Sequence, residues 1–267
     1  MVKSIPTPLR IFAWVFVGVT GLFLLGPLIV VVGVSLSESR FISFPPNGLS
    51  LHWYRQVLSS DAYVAAAWLS LRVAVLVTIS ATLLGGAAAV AIHRRKLPGS
   101  ETMGAFFLSP LVLPTIIYAI GMLMLWSTLF GPVSILTLWI SHTIIAAPYV
   151  VRTTLAVLAD SDPFLEEAAA TMGAGRMQRL FLVVLPQCAP GLAAGAFFAF
   201  NVSFDEAVLS LFLRKPGMTT LPVQIYSQLE FSPDPSVAAV STIMILLTVV
   251  LILVIDRIVG VQKFASS

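Results

Sequence analysis

D-P-F-L-E-E-A-A-A-T-M-G-A-G-R-M-Q-R-L-F-L-V-V-L-P, from Asp162 to Pro186, is a polar stretch in a chain that otherwise suits lipid. Asp162 is a good helix N-cap and Pro163 a good first helical residue, since a carboxylate accepts from first-turn amides and proline leaves no amide unpaired. Glu166 and Glu167 follow near the positive end of the helix dipole. Phe164, Leu165, Ala168, Ala169 and Met172 repeat at helical spacing and share one face. Gly173 is a natural C-cap. The spacing therefore predicts an amphipathic helix of about ten residues, ~15 Å long. Its Ala168-Ala169-Ala170 run keeps the surface low enough for another protein to come close. A second helix is predicted after Gly175, with Arg176 and Arg179 near the membrane and Pro186 at its junction with the next apolar run.

The rest of the chain gives this stretch its setting. Of 267 residues, 58% are hydrophobic and 10% charged, and the mean hydropathy is +0.99. Soluble domains carry about 25% charged residues, so this composition cannot solvate a globule and reads as a membrane protein. The net charge of +3 comes from scattered basic residues, which fits membrane orientation and not nucleic-acid binding. The single cysteine, Cys188, lies in an apolar run and reads as a small packed hydrophobe. His52, His93 and His142 fit no metal-ligand spacing.

A spanning helix needs about 20 mostly apolar residues. Six runs qualify: Ile11–Val34, Trp68–Ile92, Thr102–Trp126, Val133–Val151, Gln187–Leu213 and Val237–Ile255. The first is too long for a signal-peptide core and no small-residue cleavage site follows it, so it reads as an uncleaved helix. With the N-terminus inside, Lys3, Arg10, Arg94, Arg95, Lys96, Arg152, Arg176, Arg179, Arg257 and Lys263 share one side. Arg40, Arg55, Arg214 and Lys215 share the other, with Arg72 inside the second run left uncounted. The positive-inside rule then puts both termini, and the loop of about residues 152–186 between helices four and five, in the cytoplasm. The fold expected is all-α: one transmembrane domain over residues 1–267, with six spanning helices and a cytoplasmic helix between the fourth and fifth.

Other features leave pairs of readings open. Phe44-Pro45-Pro46-Asn47-Gly48 is a turn cluster in the outer segment. Trp53 and Tyr54, in a short helix after it, suit the headgroup level, as a membrane anchor or as a contact for an outside partner. Gly85-Gly86 and the Gly191…Gly195 spacing allow close helix packing, inside the bundle or against a partner subunit. Pro110 and Pro114 predict a kink in the third run, on a transport pathway or as ordinary membrane-helix prolines.

The 162–186 stretch resembles the signature of the permeases of ATP-binding-cassette (ABC) importers, the binding-protein-dependent inner-membrane components with the MetI-like fold. That pattern is E-A-A, three residues, G, nine residues, I-x-L-P. Glu167, Ala168, Ala169, Gly173, Leu185 and Pro186 fall on it at full spacing, with Val183 in place of the isoleucine. Ser203–Leu213, Leu221–Ser227, Ser232–Ile243, Ile140–Thr143, Ala147–Val151 and Trp53-Tyr54 look like the spermidine/putrescine branch. Where that branch carries N-S-L at the start of helix two, this chain has Leu69-Ser70-Leu71, without the asparagine. Related branches carry opines, phosphonates, thiamine or iron.

The resemblance implies a bacterial inner-membrane, multi-pass subunit that is not an enzyme. It implies a second, different permease beside it, two ATPase subunits below it, and a periplasmic or extracellular binding protein that delivers substrate. The short helix becomes a coupling helix, with Glu166, Glu167, Ala168, Ala169, Gly173, Leu185 and Pro186 as the ATPase-coupling set. The chain holds no G-x-x-x-x-G-K-[ST], so ATP and its Mg are expected on a separate ATPase, with no cofactor bound here.

Asp205 and Glu206 lie 19 or 20 residues beyond Pro186, or ~28 Å along a helix, in the outer part of the membrane. A charge there costs at least ~2.5 kcal/mol on insertion scales. Either they draw a cationic substrate through, with Ser203, Phe204 and Tyr226 along the pathway and aromatic rings adding cation–π contact, or they pair with Arg214, Lys215 or the second permease. His142 reads as an internal hydrogen-bonding group. Glu230 and Asp234 read as a solvated loop or a contact for the binding protein. A stand-alone secondary transporter would show internal repeats or paired broken helices with midplane charges. An intramembrane enzyme would show a nucleophile–base or metal set. Neither pattern is present.

Overall fold

The computed structural model describes residues 7–94, 99–162 and 164–259. Lys3, Arg95, Lys96, Lys263 and Pro163, used above for orientation and capping, lie outside the described residues. Among the described residues there is no strand, only an isolated bridge between Lys215 and Met218. In chain order the α-helices are α1 (Thr7–Ser35), α2 (His52–Ser59), α3 (Asp61–His93), α4 (Ser100–Leu108), α5 (Thr115–Leu129), α6 (Ile135–Ala159), α7 (Phe164–Thr171), α8 (Arg176–Arg179), α9 (Leu185–Asp205), α10 (Val208–Phe212), α11 (Leu221–Phe231) and α12 (Ser236–Val259).

Among the described residues, five helical stretches are long and apolar enough to cross a membrane: Thr7–Ser35, Asp61–His93, Ile135–Ala159, Arg176–Asp205 and Ser236–Arg257. The sixth expected run is not one rod. Thr102–Leu111 and Thr115–Leu129 meet at 99°, a break where a kink was expected. A 3₁₀ turn over Ser109–Leu111 and an extended Pro114 (ψ 126°) carry it. Pro110 and Pro114 each lack the amide that would bridge back one turn, so two donors are missing within five residues. The fifth expected run is also divided. Its helix ends at Asp205, and a short α10 follows.

The chain separates into two compact units. The first holds residues up to Asp61 together with Ser227–Leu246. Its segment between α1 and α2 is tied down by side chains. Trp53 is 4% exposed and its indole Nε1 donates to the Ser37 carbonyl at 2.9 Å. The Tyr54 hydroxyl and Ser35 Oγ are 2.6 Å apart. This corrects the reading of Trp53 as a headgroup anchor or partner contact, because the indole is spent inside the protein. The turn cluster forms as expected, closed by Glu38 N–H to the Asn47 carbonyl and Ser50 N–H to the Leu36 carbonyl. Asp234 is no free loop acid: it accepts from the Ser236 amide and from Gln228 Nε2, and its carboxylate also meets the Ser236 hydroxyl.

The second unit, Ala62–Tyr226 with the chain from Leu247, is the helical bundle. Its centre is the antiparallel pair α6 and α9. A Cβ on Gly191 would lie 2.8 Å from the Thr153 carbonyl oxygen, and one on Gly195 2.7 Å from Val150 Cα. Glycine lets the two backbones touch, and Thr153 Oγ1 then reaches the Gly191 carbonyl at 2.8 Å. A Cβ on Gly85 of α3 would meet Val150 Cβ at 2.8 Å, and one on Gly86 would meet Leu192 Cδ2 at 2.7 Å. The small-residue positions are thus used within the bundle. Cys188 is fully buried with Leu158 and Val184, the packed hydrophobe expected.

Candidate functional site

The stretch around α7 folds much as its residues dictate. The Asp162 carboxylate accepts from the Phe164 amide at 2.9 Å, capping the start. At the end, Ala174 N–H bonds the Ala169 carbonyl and Gly173 N–H the Ala170 carbonyl, both at 3.0 Å. That bond pair is a Schellman cap, and it needs a left-handed residue at Gly173, whose φ is +85°. Nothing lies within 4 Å of where a Gly173 Cβ would stand, so the glycine serves backbone conformation alone. The helix is eight residues long, shorter than the ten expected.

No residue of α7 is buried. Phe164 is 70% exposed and Met172, just past the helix, 88%. Glu167 and Ala168 are exposed, and Ala169 is half-buried. The two glutamates part company. Glu166 turns inward: its Oε1 accepts from Arg94 Nη2 at 2.8 Å and lies 3.8 Å from Arg179 Nη1. Glu167 has no ion-pair or hydrogen-bond partner among the described residues. A cavity of about 490 Å³ opens beside the pair, lined by His93, Arg94, Glu166, Glu167, Arg179 and Gln187 among others.

The junction into α9 differs from expectation. Pro186 does not end a separate helix. Arg176–Asp205 runs through as one helical stretch, with a π-helical segment at Leu180–Val184 just before Pro186. Proline gives no amide to the carbonyl four residues back, and a wider turn accommodates the gap. Leu185 is half-buried at the first turn of α9, and Pro186 is exposed.

The opposite end of α9 holds the second candidate site. Asp205 is its last residue and is exposed, with no partner among the described residues. Glu206 is different: its carboxylate accepts from the Leu209 amide at 3.0 Å and caps α10. Neither acid pairs with Arg214 or Lys215, which are both exposed. Phe204 is 8% exposed and stacks on Phe200 with ring centroids 5.5 Å apart. Ser203 is 4% exposed and engaged with His142. Both therefore point into the bundle, whereas Tyr226 is 49% exposed. His142 is fully buried between Ser203 and Ser210. Sequence reading gave it an internal bond without finding those partners, which lie 61 and 68 residues away. Arg72, in α3, sits over the Trp68 ring at 5.1 Å.

Residues 81–263 match the family described as binding-protein-dependent transport system inner membrane component. That match contains the α7 loop and both ends of α9. The chain belongs to this family. The permease is 32% identical over 227 residues to the spermidine/putrescine transport system permease protein PotC of Escherichia coli K12, covering 85% of this chain and 86% of that protein. It is 30% identical over 230 residues to the putrescine transport system permease protein PotI of the same strain, covering 84% and 82%. Among solved structures, it superposes on a bacterial ABC transporter that imports the acidic polysaccharide alginate. The TM-score there is 0.71 at 17% identity, over 96% of this permease and 99% of that chain. At that identity the match speaks for the fold alone: the permease has the fold of an ABC-importer membrane subunit.

Proposed function

We propose that this permease is one of two membrane subunits of an ATP-driven polyamine importer, and that α7 is where the ATPase grips it. The carrying observation is the 162–186 stretch. It matches the family's loop signature and folds as a short helix, capped at both ends, that leaves Phe164, Leu165 and Met172 exposed. An exposed patch of Phe164, Leu165 and Met172 beside a free Glu167 fits a cleft in a partner protein. ATP and Mg belong to that partner, and a periplasmic binding protein supplies substrate. Both termini and α7 lie on the cytoplasmic side by charge bias. A second, different permease completes the pathway.

The polyamine reading rests on relatives named for spermidine and putrescine, joined to the chemistry at the end of α9. Asp205 is an exposed acid, unpaired among the described residues, at the end of a membrane helix, and a di- or polycation is a suitable counter-charge for it. Two experiments test the reading. Affinity purification of the tagged permease from membranes brings down an ATPase, and Glu167→Lys loses it at normal permease level; recovery unchanged by Glu167→Lys contradicts the coupling role. In the assembled transporter, Asp205→Asn weakens uptake of labelled putrescine. Unchanged uptake kinetics at normal protein level remove Asp205 from the pathway.

A further inference from the structure

We propose that His142 is a positioning residue for Asp205: it sets the angle of the elbow between α9 and α10 by holding a hydroxyl on each side of the break. The proposal rests on the reading of Asp205 as part of the substrate pathway.

The elbow is a place where the chain gives up its own bonds. Between Asp205 and Val208 the helical ladder stops, with Glu206 at ψ 102°. In lipid such a break persists only where neighbouring groups re-satisfy the backbone. Glu206 serves one amide of α10. Two side-chain hydroxyls that flank the break are held from α6. His142 Nδ1 is 3.0 Å from Ser203 Oγ, two residues before Asp205, and Nε2 is 3.2 Å from Ser210 Oγ, four residues after Glu206. All three side chains are buried, with exposures of 0%, 4% and 1% for His142, Ser203 and Ser210. Each ring nitrogen faces a hydroxyl, and a hydroxyl serves as donor or acceptor, so both contacts hold for either tautomer.

Apolar packing anchors the two arms but does not fix the angle between them. Leu209 sits in a buried cluster with Leu138, Ala119 and Trp126, and Phe204 stacks on Phe200. Those contacts are non-directional. A rigid ring whose two nitrogens are bonded across the break supplies direction. It lies on α6 some 17 residues before the α7 end of that helix, or ~26 Å away. The residue therefore belongs to the presentation of Asp205 and not to the α7 loop.

The test uses the complete transporter in proteoliposomes, with uptake of labelled putrescine as the readout. In His142→Asn the amide stands near Nδ1 and keeps the Ser203 bond. In His142→Gln it stands near Nε2 and keeps the Ser210 bond. Each variant is expected to raise KM about three- to fifteenfold, the span of one interhelical hydrogen bond in lipid, with kcat largely retained. In an Asp205→Asn background the same substitutions add nothing, because the group they position is already gone. If they lower the amount of protein in the membrane, Ser203→Ala and Ser210→Ala, each removing one bond, carry the same comparison. A KM unchanged by His142 substitution while Asp205→Asn raises it overturns the positioning role and leaves the pathway reading standing. A KM penalty from His142 substitution that persists in full in the Asp205→Asn background overturns it too, since the histidine would then act on general stability. An unchanged KM in Asp205→Asn itself overturns the pathway reading and the inference with it.

Discussion

The α7 loop and the elbow after α9 are both polar interruptions of an apolar chain, and they treat their polar groups in opposite ways. The loop leaves itself open. Phe164, Leu165, Met172 and Glu167 face outward, while Glu166 is tied back to Arg94 and Arg179. The elbow closes on itself. His142, Ser203, Ser210 and Glu206 find partners within the chain, and Asp205 has none among the described residues. Under the proposed function, an exposed apolar face fits a second protein, whereas a free acid beside a bonded network fits a ligand or counter-charge. The same chain thus presents an exposed short helix ahead of α9 and a free carboxylate at its far end.

Glycine substitutions break this comparison most sharply. Gly195→Leu forces a side chain into Val150 Cα, 2.7 Å from the first added carbon. Overpacking of that kind costs about 3 kcal/mol or more, and the expected result is loss of folded permease from the membrane, read by detergent-solubilised yield and melting. Gly173→Ala meets no atom but must hold φ near +85°. It is expected to cost about 1 kcal/mol, to fray the end of α7 and to lower uptake several-fold at normal yield. Equal yields for the two variants would erase the distinction between a packing glycine and a capping one.

The two glutamates sharpen it further. Glu167→Lys is expected to cut ATP-driven uptake about tenfold or more while the permease itself folds normally, since its side chain is exposed and has no ion-pair or hydrogen-bond partner among the described residues. Glu166→Gln removes an ion pair whose side chains are still about a quarter exposed, 29% for Arg94 and 26% for Glu166. Such pairs are worth about 1 kcal/mol or less. The expected effect is therefore small, a shift of a degree or two in melting that shrinks further in high salt. A larger loss of uptake for Glu166→Gln than for Glu167→Lys would reverse the assignment of inward and outward roles.

What was legible in the sequence follows from how local each signal is. Asp162, the helical spacing of the apolar residues and Gly173 are all within one short helix of each other, and capping chemistry at that range is specified by residue type. The apolar runs and the close packing of Gly191 and Gly195 were legible for the same reason, whereas the choice of Thr153 and Val150 in α6 as their neighbours came from the structure. The 99° break was not, because Pro110 and Pro114 announce missing amides without saying where the chain then goes. The π-helical segment before Pro186 had only that proline as a signal. Trp53 misled because an indole suits a headgroup region and a protein interior alike, and only the Ser37 carbonyl decides between them. His142 was legible as a buried polar group, but its serines come from two other helices. Phe204 looked like a pathway residue by proximity to Asp205, yet successive helical residues point about 100° apart, and this one turns inward.

The most direct test of the whole account is uptake of labelled putrescine into proteoliposomes holding the permease pair, with binding protein outside and ATP inside, with and without the ATPase. The expected result is accumulation only when the ATPase and ATP are both present, cut about tenfold or more by Glu167→Lys. Accumulation by the permease alone, without ATPase or ATP, would contradict it.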